Sequence, residues 1–273
     1  MTHPVLRGTP LLIAHRGGAG LAPENTLPAF IAAAAKWQAD MVELDVRATR
    51  DGYCVVIHDA TVDRTTNGTG EVAAFTLAEL KALDAGYRFT PDGGSTFPFR
   101  GQGVQIPTIE EVLSAVPEMR ITVEVKIVTA QKPLFRAIAK AGAQDRIIAA
   151  GERRSFRTEF GSWTGCLSAC REDAMPFFLL HQVRLGWLAP LKVDVLQVSE
   201  FLGKRRALTP RLIRELHGRG VHVHVWTINE VADMHRLLDW GVDGLVTDRP
   251  DRLAAVLHER YGRPLPPGLR PGV

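Results

Sequence analysis

Five polar residues stand in a fixed order around three short apolar runs in the first quarter of this chain. His15 and Arg16 follow Leu11-Leu12-Ile13-Ala14, Glu43 and Asp45 alternate with apolar residues in Met41-Val42-Glu43-Leu44-Asp45-Val46, and His58 closes Tyr53-Cys54-Val55-Val56-Ile57. Strand side chains alternate between faces, so Glu43 and Asp45 point the same way from one strand. Two carboxylates turned into an apolar interior lose hydration and repel each other. They persist together only with a cation, a shared proton or strong donors. Glu124 and Lys126, two apart in another β-rich run, also share a face. Three carboxylates without a soft ligand suit a hard divalent cation, Mg²⁺, Ca²⁺ or Mn²⁺. A structural Glu124–Lys126 ion pair is the plainer alternative. His15 and His58 carry imidazoles that ordinarily titrate near pH 6.5, so one can take a proton while the other gives one. As zinc ligands they would sit beside unsuitably hard neighbours. Arg16 offers a planar fork for phosphate oxygens if the chain turns into a loop at His15, which Gly17, Gly18 and Gly20 permit.

Positioning these groups takes strands. β-rich runs near 11–15, 41–46, 120–126, 146–150, 164–169, 194–199, 222–227 and 244–247 alternate with helix-periodic segments such as Leu27, Phe30, Ile31 and Ala34. Eight βα units in about 250 residues predict an α/β fold of the TIM (β/α)8 barrel class. Its active groups gather at the C-terminal strand ends, where His15, Glu43, Asp45, Glu124 and Lys126 all fall. The run 53–58 reads as a β-hairpin that returns antiparallel onto the second strand after a turn at Arg50–Gly52, bringing His58 towards Glu43. Residues 60–106 then form a small insertion, with a helix after the capping box Thr76-x-x-Glu79 and a Gly/Pro/Phe-rich loop at 90–103. Thr108-x-x-Glu111 is a second capping box, and Thr209-Pro210 starts another helix. On the seventh strand, parity puts His222, His224 and Trp226 on one face, with Trp226 at the mouth and the histidines deeper as hydrogen-bonded core residues. On the sixth, Gln197 and Ser199 alternate with Leu196 and Val198 and line the site. Residues 1–261 are read as a single catalytic domain, and the Pro/Gly-rich stretch 262–273 as a disordered tail.

Composition narrows the function classes. An apolar fraction of 45% fits an ordinary globular protein. The formal charge of +3, from 33 basic and 30 acidic residues, argues against nucleic acid as a partner. Three cysteines cannot complete a disulfide set or a tetrahedral zinc site and are read as reduced thiols. No stretch approaches the ~18 apolar residues that span a bilayer, and no leader precedes the first motif, so the expected location is cytoplasmic, without integral membrane association. Gly18-x-Gly20-x-x-Pro23 partly imitates a dinucleotide fingerprint, but Pro23 stands where close helix–strand packing wants Gly or Ala.

The order His15-Arg16, Glu43-x-Asp45, His58 resembles the HR…ExD…H signature of the glycerophosphodiester phosphodiesterase (GDPD) family. The segments "AHRGGAGLAPENTLPAF", "VELDVRATRDGYCVVIHDATVDRTTNGTG", "IPTIEEVL", "VEVK", "VHVWTIN" and "GVDGLVTDRPD" resemble that family too, and they run from residue 14 to residue 251. The resemblance implies metal binding by Glu43, Asp45 and Glu124. It also implies hydrolysis of a small-molecule glycerophosphodiester to sn-glycerol 3-phosphate and an alcohol, with His15 and His58 as acid and base. Arg16 and Lys126 would face the phosphate, Trp226 the glycerol carbons, and Gln197 the substrate pocket. Asn25 belongs to the "PENT" element, expected to hold the first helix near the site or simply to cap it. The first attack could come from the substrate's own 2-hydroxyl or from water. Within the family a lysophospholipid is the alternative substrate, with Phe97, Pro98 and Phe99 touching an acyl chain. Outside it, a two-carboxylate glycosidase would have no use for the histidines, and a non-catalytic sugar-phosphate-binding barrel would not require them.

Overall fold

The computed structural model describes residues 3–8 and 10–270. Its strands, in chain order, are β1 (Leu11–Ala14), β2 (Met41–Ala48), β3 (Cys54–Val56), β4 (Arg120–Val125), β5 (Ile147–Ala150), β6 (Cys166–Leu167), β7 (Val195–Ser199), β8 (Phe201–Leu202), β9 (Arg205–Arg206), β10 (His222–Trp226) and β11 (Gly244–Thr247). Eight of them lie side by side in the order β6-β5-β4-β2-β1-β11-β10-β7, and every neighbouring pair is parallel. The circle closes between β6 and β7 through one parallel bridge, Ser168 to Val195. This is the (β/α)8 barrel that the alternation of the sequence predicts. The seam at β6–β7 is its thinnest joint.

The helices are α1 (Leu27–Ala35), α2 (Leu77–Lys81), α3 (Ile109–Ala115), α4 (Gln131–Ala141), α5 (Arg171–Gln182), α6 (Pro210–His217), α7 (Val231–Asp239) and α8 (Pro250–Tyr261). Local chemistry sets their starts. In α2 and α3, Thr76 and Thr108 each exchange hydrogen bonds with the glutamate three residues on, which closes both expected capping boxes. Thr209 Oγ1 accepts from the Leu212 amide, with Pro210 at the first helical position of α6. The βα arithmetic fails at one unit. After β5 the chain runs through 3-10 turns at Arg154–Ser162, broken at Arg157 (φ −129°), whose guanidinium reaches Asp173 at 2.5 Å. In α1 the apolar pattern misplaces Ile31, which is 48% exposed, while Ala29, Phe30 and Ala33 are buried. A helix composed almost wholly of apolar residues has no polar stripe to reveal its outer face.

The outer core lies between the strands and the helices. The barrel interior is filled by Leu11, Ile13, Met41, Ile148, Cys166, Val195 and Val246, joined by Val5 and Leu6 of the N-terminal turn. That turn is held at the strand starts, where Arg120 Nη1 donates to the Val5 and Arg7 carbonyls. With that end filled, a pocket can form only at the opposite rim. β3 pairs antiparallel with β2, Val46 opposite Val56 and Ala48 opposite Cys54, as the hairpin reading expects. The insertion that follows builds its own small core from Val55, Ile57, Val62, Val72, Leu80, Ala85, Val104 and Ile106. All three cysteines are free and buried. Where composition suggested a disordered tail, residues 262–270 pack on the barrel instead. Arg263 donates to Asp40 Oδ2 (2.6 Å) and to the Pro10 carbonyl (2.5 Å), and Leu269 rests against the core. Residues 271–273 lie outside the described residues.

Candidate active site

Strand register assembles the acidic cluster. β2 and β4 run in parallel with Glu43 beside Thr122 and Asp45 beside Glu124, so all four side chains leave the sheet on one side. One ligand oxygen from each of Glu43, Asp45 and Glu124 lies within 4.8 Å of the others. The strand ends inside the barrel leave Asp45 buried, 1% exposed, and Glu43 nearly so at 7%.

Cations already stand around part of this cluster. Lys126 Nζ lies 3.1 Å from Asp45 Oδ1 and 3.0 Å from Glu124 Oε2, so the Glu124–Lys126 pair weighed as the plainer alternative is present but shared with Asp45. His15–Gly17 form the turn that Arg16 needed to reach the site, with Arg16 itself in the left-handed region (φ 50°). Its Nη1 donates to Glu24 (2.9 Å) and its Nε lies 3.3 Å from Asp45 Oδ2. Gly17 is required beneath that turn, because a Cβ there would come within 2.8 Å of Ala29 Cβ at a positive φ of 85°. Asn25 does not cap α1; its Nδ2 donates to Asp45 Oδ2 at 3.0 Å.

Glu43 is the carboxylate left without a partner cation at contact distance. Among the described residues it accepts from the Arg16 backbone amide at 3.1 Å, and His15 Nε2 stands 3.9 Å away. Burial first, then repulsion from Asp45, pushes its carboxyl up to about 8. Burial acts on Asp45 as well, but Lys126 and Arg16 outweigh it and hold that carboxyl below its usual value. The same contacts raise Lys126 against the effect of its own burial. A donor set of three hard oxygens, one of them buried and uncompensated, fits a divalent cation.

Each histidine is oriented by an aspartate. His15 Nδ1 is 2.6 Å from Asp248 Oδ1, and Asn229 Nδ2 donates to the other oxygen of Asp248 at 2.8 Å. Burial opposes charge on His15, yet the Asp248 hydrogen bond and the nearby Glu43 carry its pKa above 6.5. His58 Nδ1 is 2.6 Å from Asp59 Oδ1, while Arg64 Nε donates to Asp59 Oδ2 at 2.6 Å. Burial would raise Asp59, but its hydrogen bonds from Arg64 and His58 bring it down to about 2. Arg64 also holds Glu24 through two bonds, of 2.6 and 2.8 Å, and so ties the insertion to the partner of Arg16. In both pairs the aspartate occupies Nδ1 and leaves Nε2 for the pocket.

His15, Arg16, Glu43, Asp45, His58, Glu124, Lys126, Gln197 and Trp226 all line one cavity of about 380 Å³. These nine residues expected from the sequence are therefore in one place, whereas Ser199, expected beside Gln197, lines the adjoining cavity instead. Trp226 stands at the mouth, 46% exposed, and Gln197 reaches Thr122 Oγ1 at 3.4 Å. Sequence reasoning gave no role to Asp248, Asn229, Asp59, Arg64 and Glu24, although all five lie in the segments that resemble the family. Asp59 and Asp248 had a further signal, since each directly follows a strand-end run. Glu152, which also lines the cavity, lies outside those segments. The deep histidines depart from expectation: among the described residues His224, fully buried, has no hydrogen-bond partner at either ring nitrogen, and His222 Nδ1 makes no hydrogen bond but lies 3.6 Å from Asp243 Oδ1. Phe97, Pro98 and Phe99 do not line the cavity; Phe99 packs into the insertion's core and Arg100 lies over Phe97 at 3.7 Å.

Comparison with known proteins agrees with this geometry. Residues 15–252 match the model of the glycerophosphoryl diester phosphodiesterase family. A glycerophosphodiester phosphodiesterase of Caldanaerobacter subterraneus subsp. tengcongensis is 35% identical over 89% of this chain and 96% of its own length. A probable glycerophosphodiester phosphodiesterase 2 of Mycobacterium tuberculosis is 32% identical over 93% of this chain and 92% of its own. In fold, the glycerophosphoryl diester phosphodiesterase domain of another M. tuberculosis protein superimposes with a TM-score of 0.78 at 21% identity, over 93% of this chain and all of that domain. The chain belongs to the glycerophosphoryl diester phosphodiesterase family.

Proposed function

We propose that this phosphodiesterase hydrolyses glycerophosphodiesters to sn-glycerol 3-phosphate and an alcohol, using one divalent cation (Mg²⁺, Ca²⁺ or Mn²⁺) and two histidines. The observation that carries the reading is the convergence of three carboxylates and two aspartate-held imidazoles on one cavity. Glu43, Asp45 and Glu124 would hold the cation, which when bound would neutralise charge on the phosphate. Arg16 and Lys126 add fixed positive charge where the phosphorus centre gains negative charge. Nε2 of one histidine takes the proton of the attacking hydroxyl or water. Nε2 of the other returns one to the departing oxygen, and the aspartate behind each ring stabilises its charged form. Trp226 lays its apolar face on the glycerol carbons at the mouth, and Gln197 orients the bound substrate.

The test is release of glycerol 3-phosphate from glycerophosphocholine, in EDTA and after adding back each cation separately. Release that EDTA abolishes and one cation restores supports the reading. A folded protein inactive with every cation would turn the reading to lysophospholipids, and inactivity on those too would favour a sugar-phosphate-binding barrel. Glu43→Gln should shift the cation titration as well as the rate, and an unchanged titration would take Glu43 out of the ligand set.

A further inference from the structure

The exposed large apolar side chains are unevenly spread. Among the described residues, eight of the fourteen fall between Met175 and Leu202. They come from three neighbouring pieces of the fold. Met175, Leu179 and Val183 follow one another at i, i+4 and i+8 along α5 and its C-cap, with Leu179 60% and Val183 64% exposed. Trp187 comes next, in the 3-10 turn Gly186–Leu188, and is 70% exposed. Phe201 and Leu202 form β8, and both line the cavity at the β6–β7 seam together with Met175. Because α5 follows β6 and the turn precedes β7, the apolar surface runs from the catalytic rim down the side of the barrel. The turn at its lower end is firmly held: Arg219 donates to the carbonyls of Gly186 (2.8 Å) and Ala189 (2.6 Å), so Trp187 projects from a fixed support. Apolar side chains exposed singly are ordinary, whereas a continuous set marks a contact surface.

The charges along this surface say what covers it. Arg184, Lys192, Lys204 and Arg205 are exposed, and among the described residues none is in an ion pair. The acidic residues of the same stretch are already engaged. Asp173 is held by Arg154 and Arg157, and Glu200 by Arg206 and Arg236. Glu172 accepts from the Arg154 amide, and Asp194 from the Leu167 amide. A second copy of this chain would bring the same unpaired cations to the contact with no carboxylate to meet them. An anionic lipid surface meets all four, and projecting Trp, Leu and Val beside Arg and Lys is the composition that settles at a headgroup–acyl boundary.

We propose that this side of the barrel docks the protein reversibly on an anionic lipid bilayer. Leu179, Val183 and Trp187 enter the interface, while Arg184, Lys192, Lys204 and Arg205 face the headgroup phosphates. Nothing crosses the bilayer, and the reaction in the catalytic cavity does not require docking.

The test is co-sedimentation of native protein with large unilamellar vesicles, either of phosphatidylcholine alone or of equal parts phosphatidylcholine and phosphatidylglycerol. The expected result is binding to the anionic vesicles, weakened by added salt. Lys204→Gln/Arg205→Gln should lower the partition coefficient by roughly fivefold per cation removed. Leu179→Ser/Trp187→Ser should lower it by roughly tenfold or more. All four side chains are exposed, so thermal midpoints should stay near native in both variants. Native protein left in the supernatant with both vesicle types would overturn the proposal. So would equal binding to the neutral vesicles, or binding that either variant keeps undiminished. A dimer in light scattering that Leu179→Ser/Trp187→Ser dissociates, without vesicle binding, would assign the surface to a second copy of the chain instead.

Discussion

The two sides of the barrel rim solve opposite problems. Where β1, β2 and β4 end, charged groups are packed in series, with Glu24 between Arg16 and Arg64, and Asp45 between Arg16, Asn25 and Lys126. Where β6 and β7 end, the sheet is barely closed and the walls are Phe178, Leu196, Val198 and Leu202. The first side stabilises buried and half-buried ions, and its hydrogen bonds orient their side chains. The second contributes apolar surface and shape. Chemistry should therefore be lost from one side without loss of stability, and stability from the other without loss of chemistry.

The largest test of that division is His15→Ala and His58→Ala. Each should lower turnover by ~10²–10⁴-fold if the two imidazoles exchange protons with substrate, and each should leave the thermal midpoint close to the native one. Both side chains keep some solvent contact, 17% and 33% exposed, and neither fills a core. Activity within a few-fold of native in either variant would take that histidine out of the mechanism.

Phe177→Ala probes the other side. Phe177 is fully buried in α5 and packs beside His181 and Phe178. Its truncation should cost about 3–5 kcal/mol of unfolding free energy, read by denaturant titration. Turnover well below the melting range should stay near native. A loss of turnover in protein that is still folded would show that the seam side also positions the reacting groups.

Asn25→Ala gives a smaller effect. Asn25 meets Asp45 through two hydrogen bonds: its Nδ2 donates to Asp45 Oδ2 at 3.0 Å, and its Oδ1 accepts from the Asp45 amide at 3.5 Å. Side chains that orient a ligand in this way are typically worth ~10–100-fold in metal affinity, so the cation titration should weaken by about that factor. An unchanged titration would mean that Lys126 and Arg16 alone fix Asp45.

What the sequence made legible follows the same division. The acidic side could be read residue by residue, because a period of two places Glu43, Asp45 and Glu124 on one face, and strand ends mark the active rim. The hairpin at β3 was legible from its Asp51-Gly52 turn. The seam was not legible, because the run 164–169 looks like an ordinary strand, yet only Cys166 and Leu167 form one and Ser168 adds a single bridge. Whether a strand finds its neighbour depends on residues far away in the chain, and no local period records that. The aspartates behind the histidines were half visible for the same reason. Asp59 is next to its partner in sequence, whereas Asp248 lies 233 positions from His15.

Below both sides, His224 sets the acid limb of the stability curve. It lies fully buried, among the described residues neither ring nitrogen has a hydrogen-bond partner, and burial pushes its pKa down to about 3. Unfolded, the same imidazole titrates near 6.5. Between about 3 and 6.5 the unfolded chain therefore binds a proton that the folded chain refuses, so stability is complete above pH 6.5 and falls as the solution is acidified through that window. The contribution has a limiting slope of about 1.4 kcal/mol per pH unit. His224→Leu removes the titrating group and should flatten the acid limb of the stability curve, leaving the region above pH 6.5 governed only by the change in packing. An acid limb equally steep in the variant would place the sensitivity elsewhere. Asp45 and Asp59 sit below their usual values and lose their contribution only at lower pH, whereas Glu43, pushed up to about 8, favours the folded chain as the pH falls through the same window. The difference in steepness between the native protein and His224→Leu, in which the rim is common to both, thus isolates the share of the barrel's dry interior.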